Sequence, residues 1–446
     1  MGNVSYRKPS QNNLSEEELR EFYKLNTRLD VNRSLFSIGH NSKGQLGLGE
    51  VSNCRNIARP FPVINPKGSG ALNKPIKIVS CGAYYVMIVT VDNEIYACGE
   101  NSYSQIGVPS KQCAYTCSLV PIELNFEFPK QVKVKDVKCG QAFTYIVIEY
   151  LGDQLLFGCG RNVDGQLSLP KQISIDHPQI VDGMLGKNIK FLECGYAHAV
   201  AVTTDNKIYT TGDNRYRQCG HSSPDNIFQF KELVLTNIEN QKITAIACGY
   251  YHTVIVVNDR TVYAFGMNRC YQFGNNLEDG PHLCTEIFKA PQNQYIFKVA
   301  SGPRYIITIT SRGEIYYAGN GITSHNFERL TEVEKYINNK SAVTKISNIA
   351  CGESHSVIVC EGRRVFVRGD NTYGQLGIDK PYTEIEELKL EQYGLMTSSK
   401  STITCVDAGD YFTFFGVSNA LHGHQMYSTL KKEDHPLCDV VIGFHC

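Results

Sequence analysis

Cys194-Gly195-Tyr196-Ala197-His198-Ala199-Val200-Ala201-Val202-Thr203-Thr204-Asp205-Asn206-Lys207-Ile208-Tyr209-Thr210-Thr211-Gly212-Asp213-Asn214 decides the fold, because both of its ends recur along the chain. The opening knot, Cys-Gly-x-x-His, returns at Cys248-Gly249 with His252 and at Cys351-Gly352 with His355. Weaker copies begin at Cys81-Gly82, Cys139-Gly140, Ser301-Gly302 and Ala408-Gly409. The closing knot, Gly-x-Asn, is fullest at Gly39-His40-Asn41-Ser42-Lys43-Gly44-Gln45-Leu46-Gly47 and at Gly369-Asp370-Asn371-Thr372-Tyr373-Gly374-Gln375-Leu376-Gly377. Decayed copies open at Gly99, Gly160, Gly212, Gly266 and Gly319, so successive copies are 50 to 61 residues apart. A period near fifty residues signals a solenoid or a propeller, because one such unit cannot bury its own apolar face.

The phase between the knots is tighter than the period. Seventeen residues separate Gly82 from Gly99, Gly195 from Gly212, Gly249 from Gly266, Gly302 from Gly319 and Gly352 from Gly369; only Gly140 to Gly160 differs, at twenty. A fixed internal distance beside a variable external one predicts a rigid hairpin followed by a variable loop. The residues agree: Thr253-Val254-Ile255-Val256-Val257, then Asn258-Asp259-Arg260, then Val262-Tyr263-Ala264-Phe265 is a β-branched run, a turn and a second run. Near-continuous apolar character, rather than strict alternation, predicts strands covered on both faces.

These paired knots resemble the regulator-of-chromosome-condensation repeat family, over about Leu35 to His422. The resemblance implies an all-β fold, a seven-bladed β-propeller. Its last Cys-Gly-type copy, at Gly409, is followed by Asp410-Tyr411-Phe412-Thr413-Phe414-Phe415 but by no further Gly-x-Asn knot, whereas the chain's first apolar run, Leu35-Phe36-Ser37-Ile38, leads straight into one. The N-terminal strand is therefore expected to complete the blade begun by the C-terminal one, which leaves no open end to aggregate. The expected organisation is a polar tail with a short capping helix over 1–34, the propeller over 35–424 and a C-terminal tail over 425–446.

Composition excludes several classes of function. Forty-four basic residues balance forty-four acidic ones, which argues against a general nucleic-acid binder. No apolar run approaches the ~18 residues of a membrane span, and the polar start has no secretory apolar segment. Met1-Gly2-Asn3-Val4-Ser5 misses a myristoylation site by placing its hydroxyl one position early. The seventeen cysteines are odd in number and include no Cys-x-x-Cys pair. Several sit at the repeat's own Cys-Gly position and read as small buried hydrophobes, not as metal ligands or disulfides. A reducing compartment follows, the cytoplasm or the nucleus. His198, His252 and His355 occupy equivalent places in different repeats, which favours a repeated packing role over ligation or catalysis. No nucleophile elbow, His-Glu-x-x-His or Walker loop occurs, so no covalent catalytic residue, metal or cofactor is expected.

The chain has no tryptophan. In the family a Trp often precedes the glycine of the Gly-x-Asn knot; here that slot holds Ile38, Cys98, Cys159, Thr211, Phe265, Ala318 and Arg368. The family's ultraviolet photoreceptors sense light through clustered Trp, so that activity is excluded.

At the N-terminus, Ser15 and Glu18 form a capping box between Leu14 and Leu19, predicting a helix over about 16–27. At the other end, His435 to Phe444 resembles the opening of a BTB domain, the dimerisation and cullin-ligase adaptor module that follows some such propellers; a plain terminal strand is the alternative reading.

Function then rests on surface. The resemblance implies that loops after the Cys-Gly knot surround the central channel on one face, where the family's exchange factors present acidic and histidine residues to the small GTPase Ran. The residue after the knot glycine is Ala83, Gln141, Tyr196, Tyr250, Pro303, Glu353 or Asp410. The expected partner-binding set is Tyr84, Tyr196, Tyr250, Glu353, His355, Asp410 and Tyr411, aromatic anchors being suited to protein recognition. The expectation is a non-catalytic protein-interaction propeller, an adaptor or scaffold that recognises substrates for a BTB-type ubiquitin ligase. The alternative is a guanine-nucleotide exchange factor acting on a small GTPase.

Overall fold

The computed structural model describes residues 35–49, 61–62, 74–124, 132–170, 173–274, 277, 280–319, 327–337, 345–390 and 401–418. The helix expected over 16–27 and the BTB-like stretch lie outside these residues. The described chain forms seven four-stranded antiparallel sheets, a seven-bladed propeller. Blades 1 to 6 take residues 76–121, 133–180, 189–233, 243–289, 296–329 and 346–388. Blade 7 is built from both ends of the described chain: its inner strands Thr402–Ala408 and Phe412–Ser418 are followed outward by Leu35–Gly39 and Phe61–Pro62.

Register explains the seventeen-residue phase. In every blade the last residue of the Cys-Gly knot pairs directly with the first glycine of the Gly-x-Asn knot. The pairs are Tyr85↔Gly99, Phe143↔Gly160, His198↔Gly212, His252↔Gly266, Tyr305↔Gly319, His355↔Gly369 and Phe412↔Gly39. Blade 2 keeps that pairing with a longer hairpin, reaching Tyr150↔Asp153 across a Leu151-Gly152 turn, which accounts for its spacing of twenty. Glycine is needed at the pairing position: Gly212 has φ +103°, and a Cβ there would strike the Ala197 carbonyl oxygen and the His198 Cα.

The Gly-x-Asn knot holds itself together through two amides. Asn214 Oδ1 accepts the Cys219 N–H (2.9 Å), and Gln218 Oε1 accepts the Tyr216 N–H (2.9 Å). The same two bonds recur with Asn371 and Gln375 at 2.8 and 2.9 Å. In decayed copies Ser104, Arg217 and Tyr271 stand where full copies have glycine and still take φ of 57 to 64°, so the loop shape outlasts the residue it favours.

The core is seven separate seams, one between each pair of neighbouring blades. One seam joins Tyr85, Met87 and Val89 of blade 1 to Ile146, Ile148 and Phe157 of blade 2. Another joins Leu35, Phe412 and Phe414 of blade 7 to Val86 and Ile88 of blade 1. Second strands such as Tyr85–Thr90 and His252–Val257 are buried at every position, as their apolar runs predict. Each Val or Ile so covered contributes roughly 1.5–3 kcal/mol. Blade 5 departs from the pattern: its outer strand is only Glu328–Arg329, and helix α1 (Thr331–Ile337) packs Val333 and Ile337 into the seam instead.

Candidate functional site: the knot-bearing face

Both knots open on the same end of the propeller. In six blades the residue after the Gly-x-Asn glycine donates its N–H to the residue before the paired knot position, among them His40 to Tyr411 O (2.9 Å), Glu100 to Tyr84 O (2.8 Å), Met267 to Tyr251 O (2.8 Å) and Asp370 to Ser354 O (2.9 Å). The residues after the Cys-Gly glycines form a collar around the channel mouth. Ala83 N–H donates to Gln141 O, Tyr196 to Tyr250, Tyr250 to Pro303, Glu353 to Asp410 and Asp410 to Ala83, at 3.1 to 3.4 Å. Pro303 has no N–H to pass on, so the collar is broken towards Glu353.

Two aromatic groups sit on this collar. Tyr196, Tyr250, Tyr251 and Tyr216 gather over blades 3 and 4, with ring centroids 5.2 to 6.2 Å apart along their contacts. His40, Tyr84, Tyr373 and Tyr411 gather over blades 1, 6 and 7, at 4.9 to 6.3 Å. All eight are half-buried. Between the groups, Tyr250 Oη donates to Asp410 Oδ2 at 2.8 Å and so ties blade 4 to blade 7. Burial, offset in part by that bond, leaves the Asp410 carboxyl raised to about 6. Burial, with Asp410 and Glu353 behind it, pushes the Tyr84 phenol up to about 12. Glu353 accepts a bond from the Tyr411 hydroxyl and lies 3.8 Å from the Arg304 guanidinium.

Six of the seven residues singled out from sequence therefore share one face: Tyr84, Tyr196, Tyr250, Glu353, Asp410 and Tyr411. His355 does not belong with them. It is 1 % exposed, and its Nε2 meets Thr413 Oγ1 of the next blade at 3.1 Å. His198 and His252 make the same reach, to Thr253 Oγ1 (2.9 Å) and Ser301 Oγ (2.8 Å). Sequence reasoning missed His40, Tyr216, Arg304 and Tyr373. The signal was present, because Tyr103, Tyr216 and Tyr373 occupy one position of the Gly-x-Asn knot, and the fixed phase sets that knot beside the other.

Cys81, Cys139, Cys194, Cys248 and Cys351 are free, and burial holds every one of their thiols above the usual range, Cys139 and Cys351 at about 12. Cys139 Sγ donates to the Ser80 carbonyl of the neighbouring blade at 3.2 Å, a packing role. Among the described residues no group of three His, Cys, Asp or Glu is placed to hold a metal. No helix among them is long and apolar enough to cross a membrane.

The regulator of chromosome condensation (RCC1) repeat matches residues 34–89, 92–147, 153–202 and 205–256, and a second form of the same repeat matches 76–105, 189–218, 243–272 and 346–375. The chain belongs to the RCC1 repeat family. The ultraviolet-B receptor UVR8 of Arabidopsis thaliana is 27% identical over 349 residues, 77% of this chain and 74% of the receptor. The E3 ubiquitin-protein ligase HERC2 of Homo sapiens is 25% identical over 353 residues, 77% of this chain but 7% of the ligase. The X-linked retinitis pigmentosa GTPase regulator of Canis lupus familiaris is 27% identical over 380 residues, 72% of this chain and 35% of that protein. Among solved structures, Prp20p of Saccharomyces cerevisiae superposes with a TM-score of 0.70 at 17% identity, covering 90% of this chain and 96% of its own. Human WBSCR16 gives 0.71 at 16%, covering 86% and 100%. In this chain the slots before the Gly-x-Asn glycines hold buried residues other than Trp: Ile38, Cys98, Cys159, Thr211 and Phe265 are each 0 % exposed.

Proposed function

We propose that this RCC1-repeat propeller is an adaptor that binds a protein partner over its knot-bearing face, without covalent chemistry of its own. The observation that carries this reading is the pair of half-buried aromatic groups set on the collar, whose residues vary from blade to blade on a recurring hairpin frame. Variation on a fixed scaffold is how a repeat ring encodes specificity. Rigid aromatic rings supply contact area at little entropic cost.

Nucleotide exchange on a small GTPase is the second reading, kept by one specific likeness: Prp20p is described with binding to Gsp1p and histones. The charge pattern favours the adaptor. The two face carboxylates singled out from sequence are engaged, Asp410 by Tyr250 and Glu353 by Tyr411 and Arg304. Substrate recognition for a BTB-type ubiquitin ligase is a narrower form of the adaptor reading and rests on the His435–Phe444 resemblance alone. Release of a fluorescent guanine nucleotide from a Ran-like GTPase separates the classes. The adaptor reading expects release no faster with the protein than without it. Acceleration that Glu353→Ala abolishes, at unchanged thermal midpoint, would establish exchange instead.

A further inference from the structure

The channel behind the collar is not uniform around its circumference. In each blade the residue before the knot cysteine position lines it: Ser80, Lys138, Glu193, Ala247, Ala300, Ala350 and Asp407. The three alanines are consecutive, in blades 4, 5 and 6, so that wall is recessed while the facing wall carries the charges. Two residues earlier on blades 5 and 6 stand Lys298 and Asn348, about 7 Å along the strand from the alanine layer. They line the same cavity, of about 360 Å³.

The two channel lysines are treated differently. Lys138 Nζ lies 2.8 Å from Glu193 and 3.8 Å from Asp136. Lys298 has no carboxylate within ion-pair distance among the described residues; its Nζ donates to Asn348 Oδ1 at 2.5 Å. Burial first, and then repulsion from Lys138 that outweighs the attraction of Glu193, lowers the Lys298 ammonium to about 8. A desolvated cation facing a second cation across a cavity lacks its counter-charge. Asn348 Oδ1 is engaged by Lys298 and by the Ile349 N–H, which leaves the Nδ2 end as a donor beside the ammonium. Asp407, in blade 7 beyond Ala350, has one carboxylate oxygen held by the Cys81 N–H of blade 1 at 2.7 Å.

We propose that the recessed wall of the channel is a binding site for a small oxyanion, a phosphate or a carboxylate, held by Lys298 Nζ and Asn348 Nδ2. The ligand enters from the hairpin end, because the Tyr250–Asp410 bond spans the other mouth. The site is separate from the knot-bearing face and stands or falls independently of it.

The test compares thermal unfolding in about 20 mM phosphate, in malonate and in chloride at matched ionic strength. The wild-type midpoint is expected to rise by about 2 °C or more in at least one oxyanion over chloride. Lys298→Met and Lys298→Gln should lose that rise; Lys298→Arg and the surface change Lys335→Gln should keep it. A rise with phosphate alone marks a phosphoryl ligand, and with malonate alone a carboxylate. Should Lys298→Met fail to fold, Lys298→Gln, which retains a donor for Asn348, carries the comparison. An equal rise in wild type and Lys298→Gln would mean general ion exclusion from the surface and overturn the site. No rise in wild type with either oxyanion overturns it as well.

Discussion

His198, His252 and His355 are buried at 0, 0 and 1 % exposure, and burial holds their imidazoles down to about 4, 3 and 4. Unfolded, each titrates near ~6.5. As pH falls below that value the unfolded chain takes up protons that the native chain refuses, so stability drops until the folded values are passed. Asp407 and Asp410, both raised to about 6 by burial, oppose this, because between about 6 and ~3.8 the native chain binds the proton more readily. A difference between variants isolates the histidine contribution. Tyr85 and Tyr305 fill the same slot and bond the next blade through Phe143 O (2.5 Å) and His355 O (2.6 Å), so His355→Tyr is expected to fold. Between about pH 7.5 and pH 4 it should lose about 3 kcal/mol less than wild type in urea unfolding; parallel curves would contradict a buried neutral imidazole. Tyr250→Phe removes the hydroxyl that holds Asp410. An NMR carboxyl titration should then place Asp410 above its present value of about 6, at a stability cost of about 1 kcal/mol. An unmoved titration would mean that the tie across the mouth does not form. The repeat pattern shows that these histidines share a role, but it does not show which way they point: His355 stands two residues from Glu353 and yet turns into the seam.

The element that most repays testing is the strand Leu35–Gly39. It pairs with Phe412–Ser418 from Leu35↔Gly416 to Gly39↔Phe412, and Phe36 and Ile38 fill the seam between blades 6 and 7. A chain that begins at residue 42 loses this strand, exposing the edge of Phe412–Ser418 and emptying part of two seams. Such a chain is expected to melt lower and to form oligomers in light scattering; a truncated protein that stays monomeric with the wild-type midpoint would refute the closure. This element was legible because the knots count it out: one copy starts with no partner and another ends with none. Helix α1 was not. Thr331-Glu332-Val333-Glu334-Lys335-Tyr336-Ile337 follows a short, irregular blade-5 edge, where no knot sets the phase, and is held by contacts remote from its own pattern. Among these, Glu334 accepts the Ile315 N–H (2.8 Å) and pairs with Arg329 (3.0 Å).

At the scale of the whole propeller, seven seams and one closing strand among the described residues make a ring whose two ends differ in chemistry. The knot-bearing end gathers aromatic rings and engaged carboxylates; the other end carries the hairpin turns. Most of that division could be read from the chain, since the fixed phase sets both knots at one end of each hairpin. The grouping of His40 with Tyr84, Tyr373 and Tyr411 could not, because it depends on blade 7 bringing residues 40 and 411 together across the closure. The geometry also changes which substitutions are informative. Tyr250 is tied to Asp410, so its removal confounds binding with stability, whereas Tyr84 and Tyr373 contribute ring faces. The most direct measurement is quantitative affinity capture from extract, comparing wild type, Tyr84→Ala/Tyr373→Ala on the knot-bearing face, and Asp205→Ala/Arg312→Ala on the hairpin turns. If the knot-bearing face holds the partner, the first pair should weaken capture of the protein enriched by wild type by about 2 kcal/mol, roughly thirtyfold, at a nearly unchanged thermal midpoint, while the second pair leaves it intact. Capture that survives the tyrosine changes and is lost with the hairpin-turn changes would place the working surface at the opposite end and contradict the account.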